Sequence, residues 1–356
     1  MNGPVLIMAG GTGGHIFPGL TIAQALRERD VPVVWLGGRN GMENRLVPAQ
    51  RIKLETIDFA GVRGKSLATR LLAPFRLFRA VIQARRVLRK HAPRSVLSMG
   101  GYAAAPGGIA AWTARIPVIV HEQNSVAGVT NRLLSKLARH SLTGFPDVFH
   151  GANAEWVGNP VRRSIAELAA PTERMSGRSG PVRLLVLGGS QGASSLNKMM
   201  PRALAMLPAG GFEVRHQCGS RDIDDVQRAY GDIGVEASAV SFIEDMADSY
   251  AWADLAVCRA GALTIAELSA AGLGAVLVPF PQAVDDHQTR NAKILVDALA
   301  ATIISEAELA PESLAGRIQQ ASASRDTLLR MANAARSLAR PGAVERIVEC
   351  CLEQGP

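Results

Sequence analysis

A histidine directly follows a glycine-rich loop near the start of the chain. His15 comes after Gly10–Gly14, and that loop follows the apolar run Val5–Ala9. Glycines let the backbone approach a ligand closely, and the start of a following helix favours an anion. Because an imidazole accepts a proton near neutral pH, His15 is the first candidate for a general base. The alternative is a structural histidine that only hydrogen-bonds the backbone.

A second histidine is paired with an acidic neighbour at the end of another predicted strand. His121 and Glu122 follow the apolar residues Val118–Val120. An adjacent carboxylate can orient an imidazole, so this pair is the second candidate for the base. The alternative is a purely structural role for His121.

The second half of the chain carries the strongest constellation of polar residues. Small residues at Ala260–Ala262 open a predicted helix, whose free N–H groups suit a phosphate. Glu267 follows on that helix and can accept hydrogen bonds from a ribose diol. Gln288 and Asn291 are three residues apart, so one helix face presents two amides to sugar hydroxyls. We interpret the set as a nucleotide-sugar site; the alternative is that Glu267 and Gln288 are solvated surface residues.

Two further patterns resemble known motifs but favour other interpretations. Asp222-Ile223-Asp224 has the form of a metal-binding DxD motif, yet it follows Gly219-Ser220 at a predicted helix start, where acidic residues act as caps. Gly61–Ser66 ends like a phosphate-binding P-loop but lacks its full glycine pattern and its strand–loop–helix context. The sequence therefore predicts no metal, no cofactor and no ATPase, and the Gly61–Lys65 loop is a candidate contact for an acceptor diphosphate.

These residues need parallel strands to position them, and the chain alternates strand-like and helix-like runs. In the first half we predict strands at Val5–Ala9, Val31–Leu36, Ile52–Ile57, Ser95–Ser98, Val118–Val120 and Ser141–Thr143, with helices such as Leu71–His91 and Thr130–Ala138. The strand and glycine turn at 182–192 then repeat the opening motif, and 257–263 resembles 97–103. The pattern predicts an α/β fold with two doubly wound, Rossmann-like domains and a ligand cleft between them.

The domain boundaries follow from where this pattern fades. At 356 residues the chain is too long for one ordinary core. We place the crossing near Asn159-Pro160, which gives residues 1–160 and 161–340, with a C-terminal helix in 341–356. Four cysteines without CxxC spacing indicate a reducing compartment and no structural zinc. We find no signal peptide and no stretch of 18 apolar residues, so we expect a soluble or peripheral protein.

Most of the positive charge lies in one window. The chain has a net charge of +8, yet the stretch from Phe59 to His121 holds eleven Lys and Arg residues and no Asp or Glu. Within it, Leu71–Arg79 mixes bulky apolar residues with arginines, a composition typical of contact with an anionic membrane surface. The alternative is an amphipathic helix with a solvated basic face. No aromatic platform or nucleic-acid motif accompanies the charge, so we expect no nucleic acid as a partner.

Several separated motifs together resemble the MurG family of peptidoglycan glycosyltransferases. They are the segments 10–18, 99–102, 121–124, 158–162, 188–193 and 261–267, which occur in the family order over nearly the whole chain. The resemblance implies a GT-B fold with an acceptor-binding, membrane-associating N-terminal domain that the C-terminal helix rejoins. It also implies a UDP-GlcNAc-binding C-terminal domain.

The implied activity is the inverting transfer of GlcNAc from UDP-GlcNAc to the 4-hydroxyl of MurNAc in lipid I, an undecaprenyl-diphosphate-linked acceptor, which forms lipid II. The implied location is the cytoplasmic face of the bacterial inner membrane, with other cell-wall or division proteins as further partners. Two alternatives remain open: a related GT-B transferase with another acceptor, and a non-catalytic nucleotide-sugar-binding or scaffold protein.

The resemblance assigns roles to individual residues. For the donor it implies a diphosphate contact by Ser190 and Arg162, a uracil contact by the backbone of Ile243, and a ribose contact by Glu267. Gln288 and Asn291 would hold the GlcNAc hydroxyls; the family often has two adjacent glutamines here, and His287 replaces the first. The remaining implied donor contacts are Thr12, Gly13, Gly14, Asn124, Ala262, Leu263, Thr264, Ile265 and Ala266. The implied acceptor contacts are Gly61, Arg63, Lys65 and Tyr102.

Overall fold

The computed structural model describes residues 3–59, 72–149, 154–188, 193–235, 237–281 and 286–353. It divides into two compact units. The N-terminal unit comprises Met1–Pro160 together with Gly342–Pro356, and the C-terminal unit comprises Val161–Pro341. Within the described ranges, no helix is both long enough and apolar enough to cross a membrane.

The N-terminal unit is built on a parallel sheet. Its strands are β1 (Val5–Ala9), β2 (Val33–Gly38), β3 (Lys53–Ile57), β4 (Ser95–Gly100), β5 (Val118–Glu122), β6 (His140–Thr143) and β7 (Ala154–Trp156). Its helices in the described ranges are α1 (Gly13–Arg27), α2 (Glu43–Ala49), α3 (Ala73–His91), α4 (Ala104–Thr113) and α5 (Val129–Leu134). The strand order is β3-β2-β1-β4-β5-β6-β7.

Three central strands of this sheet are covered on both faces. Every residue of β1, β4 and β5 is buried, as expected for parallel strands that run as continuous apolar segments. In register, Val5 of β1 lies between Val33 of β2 and Ser95 of β4. The strand order changes direction at β1 and β4, so the loops after these two strands open at the topological switch point, where parallel sheets bind ligands.

The C-terminal unit repeats the same plan. Its strands are β8 (Val182–Leu187), β9 (Phe212–Gln217), β10 (Ala237–Val240), β11 (Leu255–Cys258), β12 (Ala275–Leu277) and β13 (Ala301–Ile303), in the order β10-β9-β8-β11-β12-β13. Its described helices are α6 (Arg163–Ala166), α7 (Pro171–Arg174), α8 (Ser194–Leu204), α9 (Ile223–Asp232), α10 (Met246–Trp252), α11 (Ala262–Ala271), α12 (His287–Asp297), α13 (Pro311–Ala321) and α14 (Arg325–Ser337). The switch point lies at β8 and β11.

The last helix belongs to the N-terminal unit. This helix, α15 (Ala343–Leu352), packs on α1 and β4. Its Ile347, Val348 and Cys351 join the apolar core beneath β1. The Ser95 hydroxyl at the start of β4 donates a 2.7 Å hydrogen bond to the carbonyl oxygen of Cys351, which fixes the end of the helix.

The predicted Rossmann-like fold is confirmed, and the differences lie at element ends. Predicted and observed bounds of β1 coincide, whereas β4 and β5 each run two residues beyond the predicted ends. The predicted helix Thr130–Ala138 is shorter, ending at Leu134, and the predicted helix from Leu71 is observed from Ala73. Between residues 144 and 180, where the sequence signal fades, the described residues form only the short elements β7, α6 and α7.

Candidate functional site

The first glycine loop is held in place by a buried glutamate from the neighbouring strand connection. The Glu43 carboxylate accepts hydrogen bonds from the backbone N–H of Gly11 at 3.1 Å and of Gly38 at 2.9 Å. A β carbon at Gly41 would lie 1.9 Å from Glu43 Oε2, so only glycine leaves room for the carboxylate. Glu43 therefore fixes the loop after β1 to the end of β2.

A second glycine turn packs directly on this loop. Gly100 and Gly101, at the end of β4, both have positive φ angles, which favour glycine. A β carbon at Gly101 would lie 2.4 Å from the carbonyl oxygen of Gly10, and one at Gly100 would lie 3.0 Å from Nδ1 and Cε1 of His15. The two turns thus form one continuous backbone surface, and the ring of His15 lies against it.

His15 lies in the first turn of α1 and is partly exposed. Its Nδ1 lies 3.1 Å from Oε1 of Gln123, which follows β5. Of the neighbouring residues predicted to contact the donor, Thr12 and Gly14 are exposed and Gly13 is partly exposed, and Thr12 occupies the N-cap position of α1 without a side-chain capping bond. The structure therefore brings the candidate base and the exposed start of a helix together.

His121 lies behind Gln123 and is completely buried. Its Nε2 is 2.9 Å from the carbonyl oxygen of Gly158, and its Nδ1 is 3.2 Å from Nε2 of Gln123. Burial lowers the pKa of His121 to about 4. A neutral imidazole with both nitrogens hydrogen-bonded inside the protein is a poor acceptor for a substrate proton, which leaves His15 as the stronger candidate for the base.

Glu122 does not orient His121, contrary to the sequence-based interpretation. One of its carboxylate oxygens accepts from the backbone N–H of Asn124 at 3.1 Å and from the Asn124 side chain at 3.3 Å. The other accepts from the N–H of Gly128 at 3.1 Å and from Nδ2 of Asn131 at 3.0 Å. The two side chains point to opposite faces because they are consecutive residues of one strand. Glu122 instead shapes the loop that carries Asn124.

The predicted acceptor contacts are only partly covered by the structure. Tyr102 lies in the turn after β4, and its side chain is exposed. Gly61, Arg63 and Lys65 lie outside the described residues, as does Leu71 of the predicted membrane segment.

In the C-terminal unit, the buried Glu267 is the centre of an ionic cluster with the half-exposed Arg162 and the buried Tyr250. One carboxylate oxygen accepts from Nη2 of Arg162 at 3.0 Å, and the other accepts from the Tyr250 hydroxyl at 3.1 Å. Burial raises the pKa of Glu267, while Arg162 and Tyr250 act in the opposite direction. Arg162, expected beside the diphosphate, thus pairs with the carboxylate that is expected to bind ribose.

Gln288 is fixed by backbone donors at one end of its amide. Its Oε1 accepts from the N–H of Ala260 at 3.2 Å and of Phe280 at 2.9 Å. Asn291, one turn later on α12 and fully buried, donates from Nδ2 to the carbonyl oxygen of Ala260 at 3.3 Å. Both amides share one face of α12, as their spacing predicted, and both contact the Ala260 turn directly before α11.

The other predicted donor contacts lie around the same end of the sheet. Ala262–Ala266 form the first turn and a half of α11, and Gly261, at its N-cap, leaves the helix without a side-chain cap. Ile243 lies in the connection between β10 and α10 and is partly exposed. Ser190 lies outside the described residues, together with 189, 191 and 192.

The DxD pattern has a structural role, although not the expected one. Asp222 occupies the N-cap position of α9, but its side chain makes no capping bond. Its Oδ2 instead accepts from Ser194 at 2.9 Å and from Asn197 at 2.7 Å, so the capping interpretation is wrong for Asp222. In the described part of the chain, the one group with metal-ligand geometry is His140, Cys350 and Glu353, and Glu353 there also pairs with Arg139 and Arg346.

Sequence reasoning missed three residues that organise these sites. Glu43 carries no motif, and its role depends on a contact across 32 residues. Tyr250 lies in the short helix α10, and no motif distinguishes it from an aromatic residue of the core. Gln123 belongs to the 121–124 segment, and only the positions of His15 and His121 on either side of its amide reveal its role.

The family matches divide the chain into an N-terminal and a C-terminal part, as the structure does. Residues 5–143 match the glycosyltransferase family 28 N-terminal domain, and residues 183–347 match the glycosyltransferase family 28 C-terminal domain. A protein of Alkalilimnicola ehrlichii is 53% identical over 99% of both chains. A protein of Xanthomonas axonopodis pv. citri is 55% identical over 99% of this chain and 82% of its own. Both carry the name UDP-N-acetylglucosamine–N-acetylmuramyl-(pentapeptide) pyrophosphoryl-undecaprenol N-acetylglucosamine transferase.

Solved structures agree with these relatives. The crystal structure of Acinetobacter baumannii MurG superimposes with a TM-score of 0.86 at 40% identity, covering 98% of each chain. A calicheamicin glycosyltransferase superimposes with a TM-score of 0.67 at 15% identity over the full length of both chains, which shows a shared fold alone.

Proposed function

The chain belongs to the MurG family within glycosyltransferase family 28, and we propose that it transfers N-acetylglucosamine from UDP-GlcNAc to lipid I, forming lipid II. The observation that carries the catalytic assignment is the partly exposed His15 on a glycine loop, with its Nδ1 against Gln123. This side chain is the one candidate base in the described residues that combines exposure with a fixed ring. The other candidate, His121, is buried and doubly hydrogen-bonded.

The chemistry is a displacement at the anomeric carbon of the donor. His15 accepts the proton of the acceptor 4-hydroxyl as that oxygen bonds to the anomeric carbon. The bond from the anomeric carbon to the diphosphate oxygen breaks, UDP leaves with the electron pair, and the configuration inverts. The exposed first turn of α1 carries the positive end of the helix dipole, which stabilises negative charge that develops beside it.

We assign the donor to the C-terminal unit because its polar groups match the parts of a nucleotide sugar. Glu267 accepts hydrogen bonds from the ribose hydroxyls, and the uncapped start of α11 receives the diphosphate. Gln288 and Asn291 take the sugar hydroxyls, and the backbone near Ile243 contacts uracil. Arg162 neutralises Glu267 and adds positive charge near the phosphates.

The proposed function is tested by transfer of labelled GlcNAc from UDP-GlcNAc to a lipid I analogue, with EDTA present. We expect lipid II-type product from the wild-type protein, and a loss of about 100- to 10,000-fold in kcat for His15→Ala, the usual contribution of a general base. His140→Ala, which changes a partly buried histidine of β6, is the matched control with near-normal turnover.

Each contrary outcome points to a defined alternative. Binding of UDP-GlcNAc without transfer to the lipid I analogue would indicate another acceptor or a binding protein. Activity that needs added Mg²⁺ would contradict the metal-independent mechanism. Near-normal turnover by folded His15→Ala would exclude His15 as the base.

We further propose that α3 attaches the enzyme to an anionic membrane surface, at the cytoplasmic face of the inner membrane where an undecaprenyl-linked acceptor is anchored. Large apolar side chains lie exposed along one side of the helix: Phe75 is 66% exposed and Phe78 is 64% exposed, with Leu72 and Ile82 beside them. The buried residues, such as Ala80 and Ala84, occupy the opposite side. Arg79 and Arg86 lie among the exposed apolar residues, a combination that suits an interfacial helix.

Vesicle co-sedimentation tests this attachment. We expect preferential binding to vesicles that contain phosphatidylglycerol, and a drop of about 10-fold or more for Phe75→Ser with Phe78→Ser, because each buried aromatic contributes about 1.5–3 kcal/mol. Leu299→Ser, which alters an exposed apolar residue of the C-terminal unit, is the matched control. Equal binding to neutral and anionic vesicles would refute the proposal.

A further inference from the structure

A chain of four groups joins the candidate base to a backbone carbonyl deep in the N-terminal unit. It runs from His15 through the Gln123 amide to His121 and ends at the carbonyl oxygen of Gly158. The spacings along it are 3.1, 3.2 and 2.9 Å. Because every member has a fixed number of donors and acceptors, the far end of the chain determines the protonation pattern at the near end.

The pattern is set by two carbonyl groups, which accept hydrogen bonds and never donate them. The Gly158 carbonyl requires a proton on Nε2 of His121, so the neutral ring accepts at Nδ1. The Gln123 amide donates from Nε2 to that Nδ1 at 3.2 Å and also to the carbonyl oxygen of His121 at 3.1 Å. Two acceptors around one end of the amide leave no choice of orientation, and the NH₂ group must face His121.

The amide oxygen of Gln123 therefore faces His15. An amide oxygen only accepts, so Nδ1 of His15 must carry a proton, and in the neutral ring the lone pair lies on Nε2. The Nδ1–Cε1 edge of the ring lies against Gly100, which holds the ring plane. The carboxylates on the adjoining elements, Glu43 and Glu122, are hydrogen-bonded to backbone and side-chain N–H groups.

We propose that Gln123 is a positioning residue that fixes the Nδ1–H tautomer of His15 and so presents Nε2 as the proton acceptor. The inference rests on the proposed function for its catalytic consequence, but the tautomer itself is a property of the free protein. Free histidine prefers the opposite tautomer, with the proton on Nε2, which would leave a donor where the reaction needs an acceptor. Gln123 and the buried His121 behind it remove that preference.

The first measurement is the tautomer itself. In protein labelled with ¹⁵N-histidine, long-range ¹H–¹⁵N correlations distinguish a protonated from an unprotonated ring nitrogen, and His15→Gln identifies the His15 signals by their loss. We expect a protonated Nδ1 and an unprotonated Nε2 in the wild type at pH 8. Gln123→Met keeps the side-chain volume without the amide, and we expect its His15 to shift towards the Nε2–H tautomer.

Two substitutions then separate positioning from a merely structural role. Gln123→Met should lower kcat about 10-fold with less than a two-fold change in the KM for UDP-GlcNAc, a smaller loss than the roughly 100- to 10,000-fold that removal of a general base costs. Gln123→Glu still presents an acceptor to Nδ1, so it should retain the tautomer and more of kcat than Gln123→Met. Its negative charge should move the acidic limb of the kcat profile to higher pH. A structural role predicts the reverse ranking, since a buried carboxylate disturbs the fold more than methionine.

The outcomes distinguish this inference from the proposed function. An Nε2–H tautomer of His15 in the wild type, or an unchanged tautomer in folded Gln123→Met, overturns the inference even if GlcNAc transfer is normal. A lower kcat of folded Gln123→Glu than of folded Gln123→Met, each measured per folded molecule, also overturns it. Absence of transfer by the wild type refutes the proposed function, while the NMR result still decides the tautomer.

Discussion

The two units each orient a glutamine amide with backbone groups, but in opposite directions. In the N-terminal unit, the NH₂ group of Gln123 donates inwards and its oxygen faces His15. In the C-terminal unit, the oxygen of Gln288 accepts from two backbone N–H groups, so its NH₂ group is directed elsewhere. The same residue type therefore offers an acceptor in one unit and a donor in the other. What a glutamine can do at a site is decided by the backbone behind it.

The largest expected difference between the two units is in the free energy of unfolding when the amide of Gln123 or of Gln288 is replaced by a carboxylate. In Gln288→Glu, a carboxylate oxygen still accepts from Ala260 and Phe280, so we expect the free energy of unfolding to change by about 0.5 kcal/mol or less. In Gln123→Glu, an oxygen replaces the NH₂ group that faces the carbonyl of His121 and its Nδ1. We expect a loss of about 3 kcal/mol there, because a buried acceptor without a donor keeps its full desolvation cost.

Urea unfolding at pH 7.5 measures both variants against the wild type. Equal losses at the two positions would contradict the comparison, because they would show that the backbone does not select the amide orientation. Gln288→Met and Gln123→Met are the matched uncharged controls. Each removes the hydrogen bonds of the amide and keeps the side-chain volume, so it separates the effect of the new carboxylate from the loss of the amide.

Among the described residues, each unit has a fully buried neutral histidine, which makes both units acid-sensitive. Burial lowers the pKa of His121 in the N-terminal unit and of His216 in the C-terminal unit, each from 6.5 to about 4. A lowered pKa means that the folded state excludes the proton that the unfolded state takes up. The stabilisation is therefore present above pH 6.5 and is lost as the pH falls from 6.5 towards 4.

This linkage predicts that the free energy of unfolding falls by about 2 kcal/mol per histidine between pH 8 and pH 5. Urea unfolding across this range measures the loss. The glutamine in His216→Gln cannot be protonated. This variant should therefore lose the pH dependence of the unfolding free energy that comes from His216 and keep the part that comes from His121. A pH dependence that is unchanged in His216→Gln would show that His216 is not the titrating group.

The sequence predicted the elements that come from local, repeated patterns, but it did not predict contacts between residues far apart in the chain. Alternating apolar runs and glycine turns are local signals, so the two Rossmann-like sheets, the bounds of β1 and the Gln288–Asn291 helix face could be read from it. The partners of a buried polar group are not local. Gln123 contacts His15 across 108 residues and Glu267 contacts Arg162 across 105, and no spacing rule predicts such pairs. The interpretation of Glu122 as the orienting partner of His121 is wrong for a different and local reason, since consecutive residues of a strand place their side chains on opposite faces.

The last prediction concerns the ionic cluster of the C-terminal unit. Here the hydroxyl of Tyr250, and not a glutamine amide, orients the carboxylate of Glu267. Tyr250→Phe removes the donor to Oε2 of Glu267 and should cost about 1 kcal/mol of unfolding free energy. If Glu267 binds the ribose, the loosened carboxylate should also raise the KM for UDP-GlcNAc about five-fold, with kcat nearly unchanged. Tyr230→Phe is the matched control, because its hydroxyl contacts His216 and not Glu267. A similar rise in KM for both variants would show that general loosening of the unit, and not the orientation of Glu267, limits donor binding.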